Sequence, residues 1–189
     1  DQEGWCANAS TWPIQPNGNG STELFEKLQK RQEEGKSKFL QPIFNNEKNK
    51  YAFLKEKYIL FTCQIPHDQT IKYHSDISVY DALQTSILWC KQKGINIIIK
   101  SHPQLPIAME PLFDLFKKID YGIWINKMNI NILIKNCTAL FTVNSGTGLE
   151  AILYKKPVFC FGKSDYASVS HKIQDCNSIN DNWGNKEKH

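Results

Sequence analysis

Residues 143–150 contain the residue types that hold a phosphate group at the start of a helix. Small side chains let an anion approach the free backbone N–H groups at the positive end of a helix. Ser145 and Thr147 are candidate hydroxyl donors to phosphate, and Gly146 and Gly148 are the small residues between and after them. Glu150 is a candidate carboxylate acceptor for ribose hydroxyls. The segment is neither a Walker loop nor a full dinucleotide fingerprint. It is also typical of a tight strand-to-helix turn with a hydroxyl cap.

A second candidate is the sequence Lys-Ser-His-Pro at residues 100–103, which follows an apolar run. Pro103 restricts the loop backbone, so that His102 can be held rigidly at the end of the run, two residues after Lys100. An imidazole in that place can donate a hydrogen bond to a phosphate oxygen. A lone histidine after a strand is more often structural or solvated, and this alternative stays open.

Polar loops also follow two other apolar runs. Gln64 and Asp68 come after residues 58–63, and Asp68 could act as an acid–base group, accept from a ribose or sugar hydroxyl, or form a turn. Lys163 and Tyr166 come after residues 157–161, where they could supply positive charge and a stacking face or could pack against the fold.

The elements that would position these loops alternate between strand and helix. Apolar runs predict five buried strands at residues 58–63, 95–100, 121–125, 139–143 and 157–161. Helical patterns lie at residues 21–35, 79–93, 107–119, 130–135 and 149–154. Repeated strand–helix–strand units predict an α/β fold, a Rossmann-like parallel sheet of about five strands with helices on both faces. Ligands bind at the carboxyl ends of such strands, where all four polar loops meet.

Composition restricts the function classes. The 189 residues carry a net charge of +4 without a basic run, which argues against nucleic-acid binding. Apolar stretches fall short of the roughly 18 residues of a membrane span, and the first ten residues do not resemble a signal peptide. Four cysteines, Cys63, Cys90, Cys137 and Cys160, lie in apolar contexts typical of core residues, without metal or redox spacing. We therefore expect a cytoplasmic protein with no bound metal.

The chain divides into three predicted parts. Residues 1–36 are a turn-rich lead-in with one short helix, residues 37–170 form the Rossmann-like nucleotide-sugar-binding domain, and residues 171–189 are a polar tail that we expect to be loose from Cys176 onward.

Five segments, quoted in the next sentence, resemble segments of the capsule polysaccharide biosynthesis family. They occur in the order of the family's segments and with plausible spacing. They are Ser-Lys-Phe at 37–39, Tyr-Ile-Leu-Phe-Thr-Cys-Gln-Ile-Pro-His-Asp-Gln-Thr-Ile at 58–71, Lys-Ser-His-Pro at 100–103, Thr-Val-Asn-Ser-Gly-Thr-Gly-Leu-Glu-Ala-Ile-Leu-Tyr-Lys-Lys-Pro-Val at 142–158, and Phe-Gly-Lys-Ser-Asp-Tyr at 161–166. Lys-X-His-Pro and Ser-X-X-Gly-X-Glu, taken separately, recur in other two-domain glycosyltransferases, glycerophosphotransferases and sugar epimerases.

The resemblance implies a GT-B enzyme of two Rossmann-like halves, without a required metal or cofactor. Its members are bacterial β-Kdo transferases that use CMP-Kdo to build the oligo-Kdo linker on the lipid anchor of the capsule, or relatives that export or modify capsule. By resemblance, the contacts to CMP would come from Lys100, His102, Ser145, Gly146, Thr147, Gly148 and Glu150. Gln64 and Asp68 would face the donor sugar or ribose. The resemblance places the catalytic base on the acceptor half, and within this chain Asp68 is the acidic candidate in a strand-end loop near the sugar side.

The sequence departs from the family in two respects. Only the nucleotide-binding half is visible, so we expect the amino-terminal half to be supplied in cis or by a partner. Residues 162–167 lack the Trp-Gly that often follows the tyrosine. The expected partners are a nucleotide sugar and a lipid-linked or oligosaccharide acceptor, with at most peripheral contact at the inner face of the membrane. The alternatives are a transferase for another activated donor and a non-catalytic nucleotide- or glycan-binding module.

Overall fold

The computed structural model of the chain describes residues 21–34 and 52–184. Within these residues, six strands form one parallel sheet: β1 (Tyr58–Thr62), β2 (Asn96–Lys100), β3 (Ile123–Ile125), β4 (Ala139–Thr142), β5 (Val158–Cys160) and β6 (His171–Lys172). Their order across the sheet is β3-β2-β1-β4-β5-β6. This is the Rossmann order, which confirms the predicted fold class.

Seven α-helices accompany the strands within the described residues: α1 (Thr22–Glu33), α2 (Gln69–His74), α3 (Val79–Lys93), α4 (Pro106–Ile119), α5 (Ile130–Asn136), α6 (Thr147–Leu153) and α7 (Cys176–Asn182). Residues of α2, α3, α4 and α7 pack on one face of the sheet. Residues of α5 and α6 pack on the other face, and α1 lies against α6. The helices therefore cover both faces, as right-handed crossovers require.

The central strand β1 is buried along its whole length. Its side chains alternate between the two faces, so that Ile59 and Phe61 join the core beneath α3, whereas Tyr58 and Leu60 join the core beneath α5. Because both faces are covered, the strand is continuously apolar rather than alternating.

Helix α3 has a clear structural signal at each end. The Ser78 hydroxyl accepts from the backbone N–H of Asp81 (3.1 Å), and Gly94 adopts a φ of +65° at the carboxyl end. A serine cap and a left-handed glycine are efficient start and stop signals. The helix consequently has the predicted bounds.

The prediction of a loose tail from Cys176 onward is wrong for residues 176–184, and residues 171–184 of the predicted polar tail are folded. They form β6 and α7, and the Ile179 side chain is fully buried. Trp183 packs edge-on against Trp89 of α3, with ring centroids 5.0 Å apart, and Trp89 Nε1 donates to Asn180 Oδ1 (3.0 Å). Because these contacts are made by a few apolar residues within a polar stretch, the hydrophobic periodicity of the sequence did not predict them. The segments 1–20, 35–51 and 185–189, with the Ser-Lys-Phe resemblance, lie outside the described residues.

The prediction that four cysteines are core residues is confirmed: Cys63, Cys90, Cys137 and Cys160 are buried free thiols. Burial raises the pKa of each thiol above its usual 9.0, to about 12 for Cys137. The native state therefore keeps these protons at a pH where the unfolded chain loses them.

We expect the free energy of unfolding to fall as pH rises above about 9, by up to ~1.4 kcal/mol per pH unit for each thiol. Desolvation lowers the pKa of Lys100 to about 8, and this single group acts in the opposite direction between pH 8 and 10.5. Because the effect of the four thiols is larger than that of the one amine, the free energy of unfolding decreases overall as pH rises. Urea unfolding across this pH range under reducing conditions measures it, and Cys137→Ala should make the decline shallower. A pH-independent free energy would contradict the prediction.

Candidate functional site

The candidate site lies at the centre of the sheet, where strands β1 and β4 are neighbours. The chain leaves β1 toward β2 on one side and leaves β4 toward β5 on the other, so the strand order reverses between them. In open α/β sheets this reversal opens a crevice outside the carboxyl ends of the strands, and ligands bind there. The loops after β1 and β4 border that crevice.

Gln64 joins the two central loops. Its side chain donates from Nε2 to Asn144 Oδ1 (2.8 Å), and its Oε1 accepts from the backbone N–H of Asn144 (2.9 Å) and from Thr142 Oγ1 (3.3 Å). Asn144 Nδ2 in turn donates to the backbone carbonyl of Thr70 (2.9 Å). Gln64 is 9% exposed. The structure thus places its amide between the loops as a connector.

The hydroxyls of the turn between β4 and α6 each make a hydrogen bond within the fold and retain capacity for a further one. Ser145 Oγ accepts from the backbone N–H of Thr147 (3.3 Å), and Thr147 Oγ1 is hydrogen-bonded to Thr62 Oγ1 (2.9 Å) at the end of β1. Gly146 is exposed, and its α-carbon faces open space. The backbone around Gly146 is therefore accessible at the mouth of the crevice.

Tyr166 packs beneath this turn. It is 7% exposed, and its hydroxyl donates to the backbone carbonyl of Ser145, which also accepts from the N–H of Gly148 (2.9 Å). The tyrosine ring lies where a side chain at Gly148 would stand. Burial raises the pKa of the Tyr166 hydroxyl well above its usual value. Of the two predicted roles for Tyr166, stacking and packing, the geometry supports packing.

His102 lies near the start of the loop after β2 and is half-buried. Its Nδ1 lies 3.2 Å from both the backbone N–H and the carbonyl of Gln104. When Nδ1 accepts from the N–H, the proton resides on Nε2, which is then the donor that a phosphate oxygen needs.

Lys100 is buried at the end of β2. Its ammonium donates to the backbone carbonyls of Ser101 (2.7 Å) and Asn126 (3.0 Å), so it joins the loops after β2 and β3. Desolvation is the main cause of its pKa of about 8. Because its ammonium is hydrogen-bonded to two backbone carbonyls, Lys100 holds the loop that carries His102 in place.

Asp68 is exposed and caps helix α2. Its Oδ1 accepts from the backbone N–H (2.8 Å) and from Oγ1 (2.7 Å) of Thr70. This arrangement is the turn-forming alternative that the sequence left open, and the role of Asp68 as a base stays a prediction.

Glu150 lies half-buried in the first turn of α6. Its backbone carbonyl accepts from Gln32 Nε2 (2.9 Å), and the carbonyl of Leu153 accepts from Gln29 Nε2 (3.2 Å). Helix α1, which the sequence placed in a separate lead-in, is thereby attached to the helix that borders the site.

Sequence reasoning missed three residues that shape the site: Thr62, Asn144 and Thr142. All three lie at strand ends within the quoted segments, but their side chains act through partners about eighty residues away in sequence. Strand register alone brings these partners together, and a single sequence contains no signal for it.

The comparison with family models is decisive for identity, because residues 28–189 match the model described as Capsule polysaccharide biosynthesis protein. The chain belongs to this capsule polysaccharide biosynthesis family. No curated protein matches it by sequence. Along residues 21–34 and 52–184, no helix has the length and apolar character needed to span a bilayer.

Two solved structures of Thermosulfurimonas dismutans KpsC are similar to this family member in fold. The beta Kdo 2,7 transferase has a TM-score of 0.53 at 20% identity, with 84% of this chain and 49% of that chain covered. The beta Kdo 2,4 transferase has a TM-score of 0.54 at 18% identity, with 85% and 52% covered. The chain therefore spans about half the length of these two structures. The likeness supports a GT-B-like, Rossmann-type fold.

Proposed function

We propose that the chain is the donor nucleotide-binding half of a capsule polysaccharide glycosyltransferase that uses CMP-Kdo. The observation that carries the proposal is the position of the quoted segments. In this member of the capsule family, each of the described segments includes a loop at the carboxyl edge of a Rossmann-like sheet, and two of these loops border the reversal between β1 and β4.

The phosphate of CMP is assigned to the mouth of the crevice. There the exposed Gly146 backbone, the hydroxyls of Ser145 and Thr147, and His102 offer hydrogen-bond donors. Because Gly148 has no side chain, helix α6 can begin close to the phosphate. The Glu150 carboxylate is assigned to the ribose hydroxyls. Gln64 and Lys100 hold the loops in place rather than pointing into open space. Such donors stabilise the negative charge that develops on a departing phosphate.

The proposed reaction is an inverting transfer without a required metal. The acceptor hydroxyl oxygen attacks the anomeric carbon of Kdo, and the bond from that carbon to the phosphate oxygen breaks. CMP leaves with the bonding electrons, and a base removes the hydroxyl proton. Asp68 is the candidate base in this chain. The other source is a second Rossmann-like half, in cis or as a partner, which would also bind a lipid-linked or oligosaccharide acceptor at the cytoplasmic face of the membrane.

A non-catalytic nucleotide- or glycan-binding module is the second candidate function. One observation favours it: the Asp68 carboxylate already caps α2. A module of this kind would bind the nucleotide without turning it over.

We expect CMP to bind the protein and to raise its melting temperature, because ligands that bind only the native state stabilise it. His102→Ala should weaken CMP binding by about 1 to 3 kcal/mol, the range for losing a hydrogen bond to a charged group. Calorimetric titration and thermal melts, with UMP and UDP tested in parallel, measure both effects.

The exposed His67, in the loop after β1, supplies the matched control, and His67→Ala should bind CMP like the unaltered protein. No melting shift at about millimolar CMP would contradict the donor assignment. An equal loss of stability and binding in His102→Ala would instead assign the histidine a structural role.

A further inference from the structure

The outer edge of the sheet at β3 combines apolar and charged groups far from the candidate site. Strand β2 separates β3 from the β1–β4 reversal. We define the β3-edge surface by Glu110, Phe113 and Lys117 of α4 and Ile123 of β3. The two apolar side chains remain 38% exposed at Phe113 and 41% exposed at Ile123.

The α4 part of this surface is a stripe along one side of the helix. Glu110, Phe113 and Lys117 are spaced by three and four residues, so they lie on the same side of the helix in successive turns. The Phe113 ring lies 5.3 Å from the ring of Trp124 in β3, and Lys117 Nζ lies 5.0 Å from the centre of the Phe113 ring. The stripe is therefore on the side of α4 that faces the β3 edge.

Strand β3 leaves one hydrogen-bonding edge open within the described part of the chain. It pairs with β2 alone, and its three residues, Ile-Trp-Ile, include neither a charge nor a proline. Edge strands usually carry such residues because they block pairing with another chain. Trp124 points toward α4, so Ile123 lies on the opposite face of the sheet. Both faces are thus apolar at this edge.

The charges of the stripe identify the occupant that fits. Glu110 and Lys117 lie about 4.5 Å and about 6 Å along the helix axis on either side of Phe113. A parallel helix of the same sequence would place like charges together, whereas an antiparallel copy places Glu110 opposite Lys117 of the partner subunit twice. A two-fold axis produces this antiparallel arrangement.

We propose that the β3-edge surface is the interface of a homodimer with two-fold symmetry. Strands β3 of the two copies pair antiparallel and continue the sheet, the two Phe113 rings meet between the α4 helices, and the flanking charges pair across the axis. Ile123 closes the contact on the other face. The dimer leaves the crevice between β1 and β4 open in both copies.

Sedimentation velocity tests this interface over concentrations from about 1 μM to about 1 mM. We expect a concentration-dependent dimer that Ile123→Lys weakens at least about tenfold, because a charge on the edge opposes pairing. Leu88→Lys is the matched control, since Leu88 is 43% exposed on α3 and lies outside the surface. It should leave the dimer intact.

A charge exchange tests the two-fold geometry itself. Glu110→Lys and Lys117→Glu should each be monomeric in isolation, since each places like charges opposite one another. Mixed in equal amounts, the two variants should form a heterodimer. A monomeric protein at every concentration, a dimer that survives Ile123→Lys, or a mixture that stays monomeric would overturn the proposal.

Discussion

Gly148→Ala should destabilise the protein by about 3 kcal/mol, the upper end of the usual cost of overpacking. An added methyl group would overlap the hydroxyl and ring of Tyr166. The ring cannot easily retreat, because it is buried and its hydroxyl is bonded to the carbonyl of Ser145. Urea unfolding monitored by circular dichroism measures the change.

Gly146→Ala is the matched control for that experiment. Gly146 has a φ of −57°, which any residue adopts, and an added methyl group meets no atom within 4 Å. Its free energy of unfolding should stay level or rise by about 0.4 to 1 kcal/mol, because alanine restricts the unfolded chain. A Gly148→Ala protein as stable as Gly146→Ala would show that Tyr166 does not confine this turn.

Ile179→Ala should cost about 2 to 5 kcal/mol, the range for deleting a buried aliphatic side chain. Ile179 is fully buried where α7 meets the core on the α3 face, next to the contact between Trp89 and Trp183. The free energy of unfolding from denaturant titration, together with tryptophan fluorescence, reports the loss and its location.

The control lies two residues earlier in the same helix. Asn177 is exposed, so Asn177→Ala should change stability by less than about 0.5 kcal/mol. If Ile179→Ala behaved like this control, α7 would not be part of the folded core.

The elements of the fold that could be predicted are those whose local signals agree with their burial. Helix α3 has a capping serine, an apolar face and a terminal glycine, and β1 is an uninterrupted apolar run. The strand β6, two residues long, and the helix α7 carry no comparable pattern. Their stability comes from tertiary contacts of Ile179 and Trp183, which a single sequence does not reveal.

The site was predictable as a set of loops but not as a set of contacts. Alternating strands and helices place polar residues after β1, β2 and β4 at one edge of the sheet. The sequence could not assign Gln64 to a connection with Asn144, or Lys100 to two backbone carbonyls. Those roles depend on which strands are neighbours and on how deeply each side chain is buried.

The connection between Gln64 and Asn144 has a consequence for the energetics of ligand binding. Separating the loops after β1 and β4 would break the bonds from Gln64 to the side chain and backbone of Asn144, and the bond from Asn144 to the carbonyl of Thr70. The floor of the crevice is thus preorganised, and ligand binding costs little conformational entropy there. Amide hydrogen exchange at Asn144 should consequently be slow with and without nucleotide, and adjustment on binding should fall to the outer loops after β2 and β5.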